Sequence, residues 1–159
     1  FLALSQPCVE LDFMKTLNIP IIAGRDFTRD RTSGEPEALI SETALRYIGY
    51  DTPSEAIGKS LYFHWQEEKK EVRIIGVVGD VHFDSPGTRL DPTVFTLANS
   101  VHPYPKYRHY LIHLNSDGIH ETIGNVKKVW QEIFHDAPFE YFFLDEGFQQ
   151  LFELAPARI

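Results

Sequence analysis

Cysteine is almost missing: Cys8 is the single one in 159 residues. No internal disulfide can form. That fits a reducing compartment and equally an oxidising one, since small extracytoplasmic domains often carry no disulfide. Cys8 follows Pro7 and has no histidine close in sequence, so nothing there activates it as a nucleophile. Long apolar runs are missing too; none approaches the roughly 20 residues that span a bilayer. Basic charge is scarce. Fifteen Lys and Arg stand against 23 Asp and Glu, a net charge of −8, and the basic runs are short, as at Lys69-Lys70. This balance argues against a nucleic-acid backbone or an anionic membrane face as the main partner. Within these 159 residues no stretch reads as a secretory leader and there is no initiator methionine, which says nothing about targeting of a parent protein. The chain opens at Phe1 in an apolar segment, so we expect a piece of a longer polypeptide.

What is present is core material. Apolar residues make up 43% and aromatics 13% of the chain. That suffices for one ordinary domain or two small lobes sharing a core, and it excludes a disordered chain. Leu11, Phe13, Met14 and Leu17 recur at helical spacing, with Asp12 as a cap and Asn18 and Pro20 as the stop. Ile21-Ile22-Ala23 is short and apolar, and Gly24-Arg25-Asp26 turns the chain into a polar loop reaching Glu37. Ala38-Leu39-Ile40 reads as a strand. Ser41 then caps a helix with Ala44, Leu45 and Ile48 on one side, and Gly49 is its left-handed stop. A single helical turn at Glu55-Ala56-Ile57 precedes two strands, Lys59 to Trp65 and Glu71 to Val81, which pair as a hairpin. Thr93 to Leu97 is a further strand.

The last third reads β-α-β-α. Tyr107 to Leu114 alternates as a strand, with Tyr110, Ile112 and Leu114 on one face. Ser116 or Asp117 caps a helix whose stripe is Ile119, Ile123, Val126, Trp130, Ile133 and Phe134. Phe139 to Leu144 is an aromatic strand, and Asp145 caps a final helix with Phe148, Leu151 and Phe152 inward.

The segment "RIIGVVGDVHF", Arg73 to Phe83, carries the residues that most resemble chemistry. Gly76 and Gly79 are two glycines where a dinucleotide fingerprint needs three and a following helix. In a strand interior they mark a bulge or a close backbone approach. Asp80, His82 and Asp84 share one face if the strand continues, about 6.5–7 Å apart in succession. A zinc site needs three or four ligands, and only distant residues such as His64 or His102 are left to join. A metal-dependent hydrolase built on these three residues is one reading. The other is a strand end whose polar groups bond nearby loop backbone. Gly58-Lys59-Ser60 has the tail of a P-loop, but Pro53 replaces the required glycine and a strand follows in place of a helix. His109 and His113 have the spacing of a zinc helix without its glutamate. On a strand they lie about 13 Å apart. Ser41, Ser60 and Ser85 lack a nucleophile elbow and serve as caps and turns. We therefore expect no catalytic residue, no metal ligand, no cofactor-binding residue and no cofactor.

The order of segments is more specific than any one of them. Gly24-Arg25-Asp26-Phe27, Ala38 to Ala44, Ala56-Ile57-Gly58-Lys59, Gly76 to Phe83, Pro138 to Tyr141 and Phe143-Leu144-Asp145-Glu146 follow one another at consistent distances. Together, from about Cys8 to Phe152, they resemble the extracytoplasmic core domain of ABC-transporter permeases of the MacB/FtsX-like family. Two positions depart: Ser41 stands where the family usually has Asn, and Pro86-Gly87 interrupts a common Leu-His continuation.

The resemblance implies an α+β fold of two lobes. Residues 1–25 and 105–159 would form a β-α-β lobe, with helices on a small mixed sheet. Residues 26–104 would form an inserted, mostly-β lobe. It implies a non-catalytic domain outside the bacterial inner membrane, flanked by membrane helices. Those helices would link it to a cytoplasmic ABC ATPase and to a second permease subunit, same or different. A periplasmic or outer-membrane partner is a further expectation; nucleic acid is not. The work would be export or mechanotransmission. An extracytoplasmic ligand-sensing domain of a receptor is the alternative from a different class, distinguished by a small-molecule pocket.

Overall fold

The computed structural model describes residues 4–29, 35–65, 68–81, 90–98 and 109–143. The chain divides into two compact units, one holding the described residues up to Leu111 and the other those from Ile112. Secondary structure is mixed and the fold is α+β. Among the described residues no helix is long and apolar enough to cross a membrane.

The first unit is built on a six-stranded sheet. Its strands are β1 (Cys8–Val9), β2 (Ile21–Gly24), β3 (Glu37–Ser41), β4 (Ser60–Trp65), β5 (Glu68–Val78) and β6 (Val94–Leu97). The order is β1-β6-β3-β5, with β2 and β4 both pairing β5. β3 runs parallel to β5 and antiparallel to β6, and β1 runs parallel to β6. The hairpin expected from Lys59 onward forms, with Ser60 to Trp65 opposite Arg73 to Glu68. The N-terminal residues 8–9 and 21–24 thus pair in the same sheet as the strands from 37 to 97.

Both faces of this sheet are covered, which is why β3 and β6 are buried at every position. Ala38, Ile40, Val72, Ile74, Val77 and Val94 form one core cluster with Ala44, Leu45 and Ala56. Ala44 and Leu45 come from α2 (Glu42–Ile48), and Ala56 from α3 (Pro53–Ala56). Strand alternation sends Leu39 and Phe95 to the opposite face. There α1 (Phe13–Thr16) lays Phe13 against Phe95, ring centres 6.0 Å apart, and buries Met14. Burying a side chain such as Phe95 stabilises the fold by about 1.5–3 kcal/mol.

Gly76 in β5 and Gly79 just after it have a steric reason. Register along β3 jumps from Ala38 opposite Ile74 to Leu39 opposite Gly76, so one residue bulges. A Cβ on Gly76 would sit 2.7 Å from the Arg25 carbonyl and 2.9 Å from Leu39 Cδ2; one on Gly79 would sit 2.9 Å from Pro20 Cγ. Both the bulge and the close approach read from the sequence are present. One cap differs. Asp12 adopts a left-handed backbone and makes no side-chain cap; its carbonyl instead accepts from the Thr16 amide and hydroxyl.

The second unit contains α4 (Ile119–Ile133), which carries the expected apolar stripe yet has no buried residue. Its N-cap is Gly118, with φ of 71°, and not Ser116 or Asp117. The Thr122 amide and hydroxyl both donate to the Gly118 carbonyl. At the other end the Trp130 indole N–H donates to the Ala137 carbonyl, and Trp130 meets Phe134 and Phe139. Phe139, Tyr141 and Phe143 then touch in succession.

Of the strands expected at 107–114 and 139–144, the described residues form none. Residues 109–114 and 139–143 alternate in sequence but carry no strand pairing among the described residues. Alternation sets which face each side chain takes, but a strand exists only where a neighbour completes its hydrogen bonds. The expected final helix capped by Asp145 lies outside the described residues.

Candidate functional site

The exit of β5 carries a cluster of polar bonds centred on Asp80. Three residues beyond the bulge the strand ends, and Asp80 follows one residue after Gly79. Its carboxylate turns toward the start of α2. The Thr43 amide donates to Asp80 Oδ1 at 2.8 Å, and the Thr43 hydroxyl to Oδ2 at 2.8 Å. The Arg46 guanidinium, one turn along α2, reaches Oδ2 at 3.4 Å and Thr43 Oγ1 at 3.3 Å. The first amides of a helix have no partner inside it. Asp80 supplies one from 37 residues away, and its negative charge suits the helix's positive end. Ser41 supplies the next: its Oγ accepts from the Ala44 amide at 3.1 Å, as the sequence predicts, and also from the Thr93 amide at 3.2 Å. Gly49 closes the helix with φ of 101°.

A second charged group sits where the chain enters the sheet. Glu37, the first residue of β3, is buried, and a buried carboxylate must be paired. Both its oxygens accept from the Arg25 guanidinium. Arg25 is placed by Gly24, whose φ of 79° turns the end of β2, and by the hydrogen bond its backbone N–H donates to the Ile75 carbonyl. Nearby, Arg73 pairs with Glu35 at 2.8 Å. The Gly24-Arg25-Asp26-Phe27 motif therefore closes a strand end electrostatically and buries Phe27 beneath it.

The other residues singled out for chemistry are placed as follows. Of the face Asp80, His82 and Asp84, only Asp80 is among the described residues, and it serves α2. His102 and Ser85 also lie outside them. His64 lies in β4. His109 and His113 fall in the segment without helix or strand. Gly58 takes the left-handed backbone of a turn, with φ of 83°, and its amide bonds the Ile74 carbonyl. Ser60 then begins β4 and donates to Glu71 at 2.6 Å. A strand therefore starts where a P-loop would start a helix. Cys8 sits in β1 with its sulfur 3.8 Å from Thr96 Oγ1. Among the described residues no group of three or more His, Cys, Asp or Glu is placed to hold a metal ion.

Glu10, Leu11, Thr28, Arg29 and Leu97 line an open cleft of about 280 Å³. That is below the roughly 300–1,000 Å³ of most small-molecule sites. Sequence reasoning missed Thr43 and Arg46 as partners of Asp80, and Glu37 as the partner of Arg25. The available signal was a short acidic side chain just past a buried strand, but the helix it caps lies 37 residues away.

The architecture is that of a mixed sheet covered on both faces by short helices, with its polar groups engaged in holding strand and helix ends. Two solved structures share this fold. The periplasmic region of MacB from Actinobacillus actinomycetemcomitans is similar to this chain with a TM-score of 0.58 and 13% identity, over 80% of this chain and 56% of that one. A domain of a Porphyromonas gingivalis protein classed as a permease is similar with a TM-score of 0.53 and 20% identity, over 88% of this chain and 69% of that one. At these identities the likeness is one of fold. The chain spans just over half the length of the MacB periplasmic region. No protein-family model and no curated protein sequence matches it.

Proposed function

We propose that this chain is a non-catalytic extracytoplasmic domain of an ABC-transporter permease, coupling cytoplasmic ATP hydrolysis to conformational change outside the membrane. The observation that carries the reading is the shared fold with the MacB periplasmic region. The order of the GRDF, AIGK and GVVGDVHF segments supports it independently. So does the use of the polar groups: Asp80, Ser41 and Glu37 hold helix and strand ends. A domain that relays motion needs elements that move as bodies, and a sheet packed on both faces repacks in discrete steps. The Asp80 bonds join the end of the longest strand to α2, so that strand and helix move together.

Membrane topology of the parent polypeptide tests this. An apolar run of about 20 residues is expected on each side of these 159 residues. A reporter enzyme that is active only outside the cytoplasm should work when fused within them. Absence of an apolar run on both sides, or a cytoplasmic reporter signal, overturns the reading.

A further inference from the structure

Strand β5 outruns its neighbour. β3 pairs with it only from Arg73 to Val78, so from Glu68 to Val72 its only partner among the described residues is β4. Among the described residues this part of the hairpin is a two-stranded ribbon with two outer edges, and the edges differ. Glu68, Lys69, Lys70 and Glu71 charge four successive positions of β5. β4, Ser60-Leu61-Tyr62-Phe63-His64-Trp65, contains no Asp, Glu, Lys, Arg, Pro or Gly. It pairs β5 through six consecutive residues without a bulge. Charge, proline and bulges are the devices that keep an open edge from recruiting another strand. One edge of the ribbon has charge; the other has none of the three. Among the described residues β4 pairs with β5 alone.

We propose that the β4 edge docks a second copy of this chain, the two β4 strands pairing antiparallel about a two-fold axis. An axis normal to the sheet sets residues of the same face opposite each other. Centred on Tyr62, the pairing puts Tyr62 against its own counterpart and Leu61 against Phe63. No like charges meet. The same operation on the β5 edge would set Lys69 against Lys69 or Lys70 against Lys70. An uncharged edge also offers no charge pattern by which to select a foreign strand, whereas a second copy brings a matching edge by symmetry. Tyr62 is 52% exposed, with Lys69 Nζ over its ring at 3.9 Å, so its outer side is available for an aromatic cross-strand pair. Six residues of strand pairing bury less than the roughly 1,200 Å² of a stable interface. The dimer is therefore weak in solution, and the net charge of −8 on each copy makes it stronger as salt rises. Side-by-side tethering in one membrane would raise the effective concentration; that last point alone rests on the permease reading.

Sedimentation equilibrium of the 159-residue chain in physiological salt tests the proposal. Over a roughly hundredfold concentration range the average mass should climb from one chain toward two. Tyr62→Lys should weaken association at least about tenfold while leaving the circular dichroism spectrum unchanged. In a Cys8→Ser background, Tyr62→Cys should cross-link into dimers on mild oxidation, and Lys69→Cys should not. A mass of one chain throughout, or equal cross-linking from both cysteine variants, overturns it whatever the topology experiment returns.

Discussion

Helix α2 has seven residues and helix α4 has fifteen, yet the shorter one is the better anchored. α2 buries Ala44 and Leu45 against the sheet and has its first amides taken by Asp80 and Ser41. α4 has a clean apolar stripe that is half-buried at Ile119, Ile123, Val126 and Trp130 and fully buried nowhere, and it begins at a glycine with no side-chain cap. Length and pattern make a helix possible. Packing of its apolar face and satisfaction of its end groups make it stable. The two helices thus separate what a sequence pattern promises from what a surrounding structure delivers.

The sharpest way to test that contrast is to remove one apolar side chain from each unit. Phe95→Ala should cost about 3–5 kcal/mol, because Phe95 is wholly buried between Phe13 and the sheet. Ile133→Ala, at a position 63% exposed, should cost under about 0.5 kcal/mol. Urea titration measures both, and equal losses would erase the distinction drawn here. Next in size is Gly76→Ala. Its methyl meets the Arg25 carbonyl and Leu39, so overpacking should cost about 1–3 kcal/mol by the same titration. The smallest pair dissects the strand exit. Asp80→Ala leaves the Thr43 amide and hydroxyl without their acceptor and should cost about 1–2 kcal/mol, with faster hydrogen exchange at the Thr43 amide. Arg46→Ala removes only an exposed, long ion pair and should cost less than about 1 kcal/mol. If Arg46→Ala cost as much as Asp80→Ala, the ion pair and not the capping would be holding the exit.

Local chemistry was legible wherever its partners lie close in sequence. Ser41 and Gly49 bracket α2 as their residue types predict, because capping and left-handed turns involve neighbours only a few residues away. The β4–β5 hairpin could be read for the same reason; the close approach at Gly76 was legible only as a glycine inside a strand, since its partners Arg25 and Leu39 are distant in sequence. Asp12 misled because it adopts a left-handed backbone where a capping residue needs an extended one, and it makes no side-chain cap bond. The alternating segments 109–114 and 139–143 misled because alternation sets side-chain facing and cannot supply a hydrogen-bonding neighbour.

On its own, then, the sequence determined the Ser41 and Gly49 caps of α2, the hairpin, the apolar faces and the family resemblance, all of them properties of short windows or of their order. The tertiary structure alone decided which strands lie side by side. It also decided that residues 8–9 and 21–24 join the same sheet, that Asp80 serves a helix begun 38 residues earlier, and that Arg25 answers the buried Glu37. Those arrangements depend on closing long loops, whose entropic cost grows only slowly with length. Many distant partners are therefore nearly equivalent until the packed core selects among them.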